Sequence, residues 1–311
     1  MRGQGTDSPR TIIGFSTAAA SGPPRLPTGT DGVHVPAVFE FSKYSGAGND
    51  FVIARADERS DSIGAELATR VCSRRTGVGV DGLILVYLRP DGIRVRFFNP
   101  DGSEFSTCGN GSRCAARFAS DECLGDPAGF VLETPAGEID ARVDGDRVSL
   151  DYHIDVGVRG PIEVSGPDGP VDGWLVRIGV PHLVVPLDRM PEGPIEEICR
   201  PLRRLDSLGP AGANVNLVSL DDVATGTVRT FERGVEGETL ACGSGSMASV
   251  IALRAAGLAG PRLSLRVKGG DELEIEILDL RPPDGSVRDV RLSGPAVKLF
   301  EGAFSDTILT P

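Results

Sequence analysis

One short pattern occurs twice in this chain, and its repetition restricts the fold more than any other feature. Cys108-Gly109-Asn110-Gly111-Ser112 returns as Cys242-Gly243-Ser244-Gly245-Ser246, close to half of the 311 residues further on. The surroundings repeat as well. Val95-Arg96-Phe97-Phe98, a glycine-containing turn and Glu104 precede the first copy; Val228-Arg229-Thr230-Phe231, another turn and Glu238 precede the second. Both glutamates stand four positions before their cysteine, and one inserted residue separates the two strand spacings. A chain that repeats strand, turn and Cys-Gly-x-Gly at this distance carries a duplicated unit. A pseudo-two-fold arrangement of the two units brings both loops to one cleft.

Around these motifs the pattern is that of an α+β protein. Residues 82–87, 93–98, 147–152 and 272–278 are short alternating or β-branched runs that read as strands. Helical periodicity is confined to 63–74, 109–120 and 243–256. A 40% hydrophobic composition provides for a core, and the 41 Gly and 23 Pro suit many short strands joined by tight turns. Residues 1–38 differ: rich in Gly, Pro, Ser and Thr and without either period, they read as a disordered tail. Their apolar run, 11–15, is broken by Gly14 and polar neighbours, which argues against a secretory signal.

The composition also excludes functions. The net charge is −12 with no Lys/Arg block, which argues against nucleic acid as a partner. No stretch reaches the roughly 18 apolar residues of a membrane span. The three histidines are scattered and the six cysteines include no C-x-x-C, so no metal site or redox dithiol is expected. Cys72 and Cys114 fall within predicted helices, Cys123 and Cys199 have no motif context, and all four read as core residues.

Cys108 and Cys242 are different. Glycines at a helix start let backbone N–H groups approach a ligand, and the unpaired donors and partial positive charge there suit a carboxylate. A cysteine at the same end has its thiolate favoured. Two such loops in one cleft place a thiol on each face of a ligand. One thiolate can then remove a proton while the opposite thiol supplies one, which inverts a carbon centre without a cofactor.

At this level of detail the chain resembles the diaminopimelate epimerase family, within the cofactor-independent amino-acid epimerases and racemases, from about residue 39 to residue 302. The resemblance is carried by Phe41-Ser42-Lys43 leading to Gly48-Asn49-Asp50-Phe51, by Thr76-Gly77-Val78-Gly79-Val80-Asp81-Gly82, and by Phe98-Asn99-Pro100-Asp101-Gly102-Ser103 running into Cys108–Cys114. Asn214-Val215, Glu232-Arg233-Gly234 and Glu238-Thr239-Leu240-Ala241-Cys242-Gly243-Ser244-Gly245 follow in order. It implies two pseudo-symmetric domains, each a curved, barrel-like sheet around a central helix, here placed at 39–153 plus 295–311 and at 154–294.

The resemblance further implies that Cys108 and Cys242 are the acid/base pair. Asn110, Gly111, Ser244 and Gly245, with Gly109 and Gly243 at the helix starts, would hold the reacting carboxylate, and Asn49 would line the cavity. Asn99, Asn214, Glu232 and Arg233 would grip the distal amino-acid centre, where Arg offers a bidentate fork for a carboxylate and Glu pairs with an ammonium. His182 lines the site too, and beside a thiol it is a candidate for deprotonating it. One departure stands out: the family usually has Gly-Asn-Pro-His where this chain has Gly179-Val180-Pro181-His182. That loses a neutral contact of about 0.5–1.5 kcal/mol, or signals another substrate such as histidine. The expected activity is interconversion of LL- and meso-2,6-diaminopimelate in lysine and peptidoglycan precursor synthesis, in the cytoplasm, with no metal or cofactor. The expected partners are a small amino-acid substrate and, in a homodimer, a second copy. The rival readings are a related racemase, a non-catalytic amino-acid-binding protein and a redox protein.

Overall fold

The computed structural model describes residues 39–56, 58–124, 126–281, 286–305 and 308; the tail expected at 1–38 lies outside them. Among the described residues one sheet of 18 strands runs through the protein, and its pairing follows the same sequence twice. β1 (Phe39–Gly46) pairs antiparallel with β2 (Asn49–Arg55), β2 parallel with β3 (Gly82–Arg89), and β3 antiparallel with β4 (Gly92–Phe98). β4 carries the short β5 (Glu104–Phe105), then pairs in parallel with β6 (Phe130–Thr134), which leads through β7 (Gly137–Asp144) to β8 (Arg147–Val156).

The second half begins at β9 (Val158–Gly166), which pairs with β10 (Gly169–Ile178). β10 is then antiparallel to β11 (Val180–Pro186), β11 parallel to β12 (Asn214–Leu220), and β12 antiparallel to β13 (Thr225–Glu232). β13 carries β14 (Gly237–Thr239) and pairs in parallel with β15 (Arg262–Arg266), which leads through β16 (Glu272–Arg281) to β17 (Ser286–Pro295). β17 pairs with β8 and joins the halves, and β18 (Val297–Phe304) returns to β1.

Parallel neighbours need a crossover, and helices fill all four. α1 (Glu58–Ser62) and α2 (Gly64–Val71) connect β2 to β3, and α4 (Glu196–Leu202) connects β11 to β12. α3 (Gly109–Asp121) lies between β5 and β6, and α5 (Gly243–Ala255) between β14 and β15. α3 packs mainly against β1–β4, β7 and β8, and α5 mainly against β9–β13, β15 and β16, while β17 touches both helices and β18 touches α3, so each is largely enclosed by the strands of its own half. Enclosure requires small residues. A Cβ on Gly46 would sit 2.9 Å from both the Asn110 carbonyl oxygen and Cys114 Sγ. In α5 every residue from Gly243 to Leu253 except Ser244 is buried.

The repeated glutamates find a structural use. Glu104 pairs with Arg96, and Glu238 accepts two bonds of 2.6 Å from Arg229, so in each half the same Arg–Glu pair ties the strand to its turn. Two expectations are corrected. The helix expected over 63–74 stops at Val71, because the chain doubles back and Val78 N donates to the Val71 carbonyl at 2.8 Å. Cys123 is not a core residue: it is exposed just past α3, at φ 54°, where the helix has ended. Cys72, Cys114 and Cys199 are buried as expected.

Candidate active site

Cys108 and Cys242 are the N-cap residues of α3 and α5, with extended backbones (φ −151° and −131°) that turn the chain into each helix. In the first copy the thiol itself caps: Gly111 N donates to Cys108 Sγ at 3.4 Å. In the second, Cys242 Sγ lies 3.5 Å from Ser244 Oγ. The two starts meet. A Cβ built on Gly243 would lie 3.5 Å from Gly109 Cα, and one on Gly109 equally close to Gly243 Cα, with Leu292 Cδ2 at 3.0–3.1 Å from both. The duplication thus presents two helix N-termini and two thiols at one place, and glycine at both positions permits the contact.

The electrostatics of the two thiols differ. Burial raises both pKa values above that of a free thiol, and each is partly offset by N–H groups at its helix start. Desolvation thus opposes the helix terminus at both thiols and outweighs it, so the thiolate is less favoured at either than the helix start alone would make it. Their neighbours then separate them. Arg113, fully buried, donates to Asn110 Oδ1 at 2.9 Å and to the carbonyls of Gly109 (3.2 Å) and Pro295 (3.3 Å). No carboxylate pairs with it among the described residues, and its charge lowers the Cys108 pKa. Cys242 faces Glu232, whose charge raises the thiol's pKa further. Burial raises the Glu232 pKa as well, against hydrogen bonds from Thr239 Oγ1 (2.6 Å) and Cys242.

The other expected residues fall into three groups. Asn49 and Asn110 are joined directly, Asn110 Nδ2 donating to Asn49 Oδ1 at 2.7 Å, while Asn49 Nδ2 donates to Asp81 Oδ2 at 2.9 Å. Asn110 also reaches the Ala241 carbonyl across the halves, at 3.4 Å. Both amides are thus committed to structure. At the start of β11 and β12, His182 and Asn214 stand side by side in parallel register, and Asn214 Oδ1 accepts from Arg233 N at 2.8 Å. The Arg233 side chain, half-buried, has no ion-pair partner among the described residues. Asn99 is apart from these networks, its amide bonding within its own turn to Ser103 Oγ at 3.0 Å.

His182 does not have the basicity expected of it. It is fully buried, and desolvation, with the nearby Arg233 charge, brings its pKa to about 3. A ring that weakly basic cannot take a proton from a thiol. The sequence reading passed over Arg113, Asn216 and Thr230, which hold this arrangement together.

No helix among the described residues is long and apolar enough to cross a membrane, and none of their His, Cys, Asp and Glu side chains cluster as a metal site. The fold and site define a duplicated α+β protein with a cysteine-capped helix from each half converging on one centre. Comparison with known proteins sharpens this. The family model for diaminopimelate epimerase matches residues 41–156 and 174–287. A diaminopimelate epimerase of Hydrogenobaculum sp. (strain Y04AAS1) is 37% identical over 284 residues, covering 85% of this chain and 98% of that one. One from Aquifex aeolicus is 36% identical over 287 residues, covering 87% and 99%. Among solved structures, a hydroxyproline epimerase of Agrobacterium vitis with bound trans-4-hydroxy-L-proline shares the fold, with a TM-score of 0.63 at 16% identity, covering 86% of this chain and 92% of that one. The chain belongs to the diaminopimelate epimerase family.

Proposed function

We propose that this protein interconverts LL- and meso-2,6-diaminopimelate, feeding lysine and peptidoglycan precursor synthesis. The observation that carries the reading is the contact between Gly109 and Gly243, which sets a thiol from each half beside one position. The substrate's reacting carboxylate lies on the backbone N–H groups of Asn110, Gly111, Ser244 and Gly245, which stabilise the charge that develops as the α-proton leaves. A thiolate removes that proton, leaving the bonding pair on carbon, and the opposite thiol returns a proton to the other face. The cysteines end with their protonation states exchanged. The Arg113 charge favours Cys108 as the thiolate, and the Glu232 charge favours Cys242 as the thiol. Arg233 binds the distal carboxylate, assisted by Asn99 and Asn214, and Glu232 is within the same motif.

Val180 favours a second reading, a two-cysteine epimerase of another amino acid. Deuterium incorporation at the α-carbon in D₂O, across a panel of amino acids, separates the two. Fastest exchange with diaminopimelate supports the first; faster exchange with histidine or another amino acid, or none with diaminopimelate, overturns it. We further infer a division into domains at 39–153 plus 295–311 and 154–294, in keeping with the repeated strand order. A cytoplasmic location suits the six unpaired cysteines. A homodimer would cover Val297, Leu299 and Phe300, exposed on β18.

A further inference from the structure

The two halves correspond strand for strand, and comparing matched positions reveals a break in the symmetry. In the first half, Phe51 (β2), Ile84 (β3) and Phe97 (β4) stand beneath the start of α3: Phe51 is in register with Gly82, Ile84 with Phe97, and a Cβ on Gly111 would meet the Phe97 ring and Ile84 Cδ1. The corresponding residues of the second half are His182 (β11), Asn216 (β12) and Thr230 (β13). His182 is in register with Asn214, Asn216 with Thr230, and a Cβ on Gly245 would meet Asn216 Oδ1 and Thr230 Oγ1. An apolar trio beneath one helix is a buried polar trio beneath the other. Buried polar groups are costly unless their bonds are made, so the replacement has a use.

The bonds of Asn216 define it. Its Nδ2 lies 3.4 Å from the Leu183 carbonyl, which can only accept, and its Oδ1 accepts from Thr230 Oγ1 at 3.0 Å. The amide orientation is thereby fixed, and the same Nδ2 is 3.3 Å from His182 Nδ1. Nδ1 must therefore accept, and in a neutral imidazole the proton then sits on Nε2. Nε2 is buried and has no hydrogen-bond partner among the described residues. Among the described residues, the charge of Arg233 reaches the ring.

We propose that Asn216, held by Thr230 and the Leu183 carbonyl, is a positioning residue that fixes His182 as the neutral Nε2–H tautomer, so that His182 serves the site as a hydrogen-bond donor to an anion rather than as a base. The role of His182 toward substrate rests on the epimerase reading; its tautomer does not. The anion is a substrate carboxylate or a cysteine thiolate. Both present the same acceptor chemistry, and both attract a fixed N–H donor in a dry site.

The chain has three histidines, His34, His153 and His182, so long-range ¹H–¹⁵N correlation spectra of the uniformly labelled protein resolve each ring. The expected spectrum shows His182 protonated on Nε2 alone between pH 5 and 8. Asn216→Asp, whose carboxylate can only accept, should move the proton to Nδ1, and Asn216→Ala should leave a mixture of tautomers. With diaminopimelate as substrate, kcat for either variant should fall by about tenfold to 100-fold, part of what a positioned group contributes at a reacting centre. Addition of diaminopimelate to Cys108→Ala tests the acceptor: a shift of the Nε2–H resonance that persists without this thiol identifies a carboxylate, and its loss identifies the thiolate. A wild-type ring protonated on Nδ1, or a spectrum that Asn216→Asp leaves unchanged, overturns the proposal. The wild-type spectrum decides the tautomer even where a variant fails to fold, and it does so whether or not diaminopimelate is turned over.

Discussion

Gly245→Ala and Gly111→Ala are the same change at matched positions of the two central helices, yet the structure assigns them different outcomes. In isolation each replacement favours the helix by up to about 1 kcal/mol, since Gly is the poorer helix former. At Gly111 the added methyl would stand 3.3 Å from Phe97 Cε1 and 3.4 Å from Ile84 Cδ1, a tight fit that a ring and a methyl can relieve by small shifts. At Gly245 it would stand 2.3 Å from Asn216 Oδ1, so Asn216 must move. Overpacking costs about 1–3 kcal/mol. Displacing Asn216 also breaks its bonds with Thr230 and His182, at about 0.5–1.5 kcal/mol each. Set against the helix gain, Gly245→Ala should lose about 1–5 kcal/mol, while Gly111→Ala should remain within about 1 kcal/mol of wild type. Urea denaturation with unchanged m-values measures both. If Gly245→Ala unfolds no earlier than Gly111→Ala, the placement of α5 over β12 and β13, and with it the polar trio, is wrong.

Four further outcomes are expected. Cys108→Ala and Cys242→Ala should each reduce epimerisation by at least about 100-fold while the far-ultraviolet spectrum stays native; near-normal turnover in either excludes the two-base mechanism. Arg113→Met removes the cation near Cys108, so the pH at which iodoacetamide alkylates Cys108 should rise while that for Cys242 changes less; equal shifts at both would show that Arg113 does not polarise the pair. Arg233→Lys keeps the charge but loses the fork and should raise KM for diaminopimelate by about tenfold or more, whereas Val180→Asn should hold or improve it; a Val180→Asn enzyme that loses activity and prefers another amino acid moves the assignment to the rival epimerase. Finally, His182 has a native pKa of about 3, below its unfolded value of about 6.5. The unfolded chain binds a proton between these limits that the native state refuses, so the stability this neutral ring allows is full above about pH 6.5 and falls as pH drops, by about 1.4 kcal/mol per unit. His153, bridging Asp140 and Asp289 with its pKa raised, acts in the opposite direction but is largely exposed. His182→Gln lacks this titration, so its stability relative to wild type should rise from pH 6 to pH 4, and a difference that does not move in that direction refutes the effect.

The duplicated cysteine motif located both central helices closely, because a glycine-rich start following a strand leaves little freedom in where the helix begins. The expected ranges 109–120 and 243–256 became Gly109–Asp121 and Gly243–Ala255. Other elements were less legible. α4 has only seven residues and an internal Pro201, so it never develops a helical period, and β9 and β10 alternate weakly because their residues are largely exposed or half-buried. At the site the cysteine pair could be read from the motif, but the balance between burial and helix terminus at each thiol could not, since desolvation depends on what the rest of the chain packs around it. Asn216 and Thr230 are polar residues within strands, and no motif of the sequence marks them. The signal that exposes them is the comparison of halves, in which Ile84 and Phe97 occupy their places.

That comparison also bears on how a duplicated scaffold can act on a substrate in which only one α-carbon reacts at a time. Perfect symmetry would offer two identical thiols, with no rule for which loses its proton. The chain departs from symmetry at a few positions near the helix starts. Five residues after Cys108 stands Arg113; five after Cys242 stands Met247, buried and apolar. His182, Asn216 and Thr230 occupy the second half where Phe51, Ile84 and Phe97 occupy the first. A cation without a carboxylate partner among the described residues therefore lowers the pKa of one thiol, and the Glu232 charge raises that of the other. The neutral ring adds a donor without adding a charge to the second side, and its low pKa keeps it so at any pH where the thiols can exchange protons. In the proposed mechanism the shared backbone N–H groups serve both faces alike, and the unshared side chains give the site its direction. Inversion needs both: equivalence, so that either face can be reprotonated, and inequivalence, so that one thiol starts charged and the other neutral.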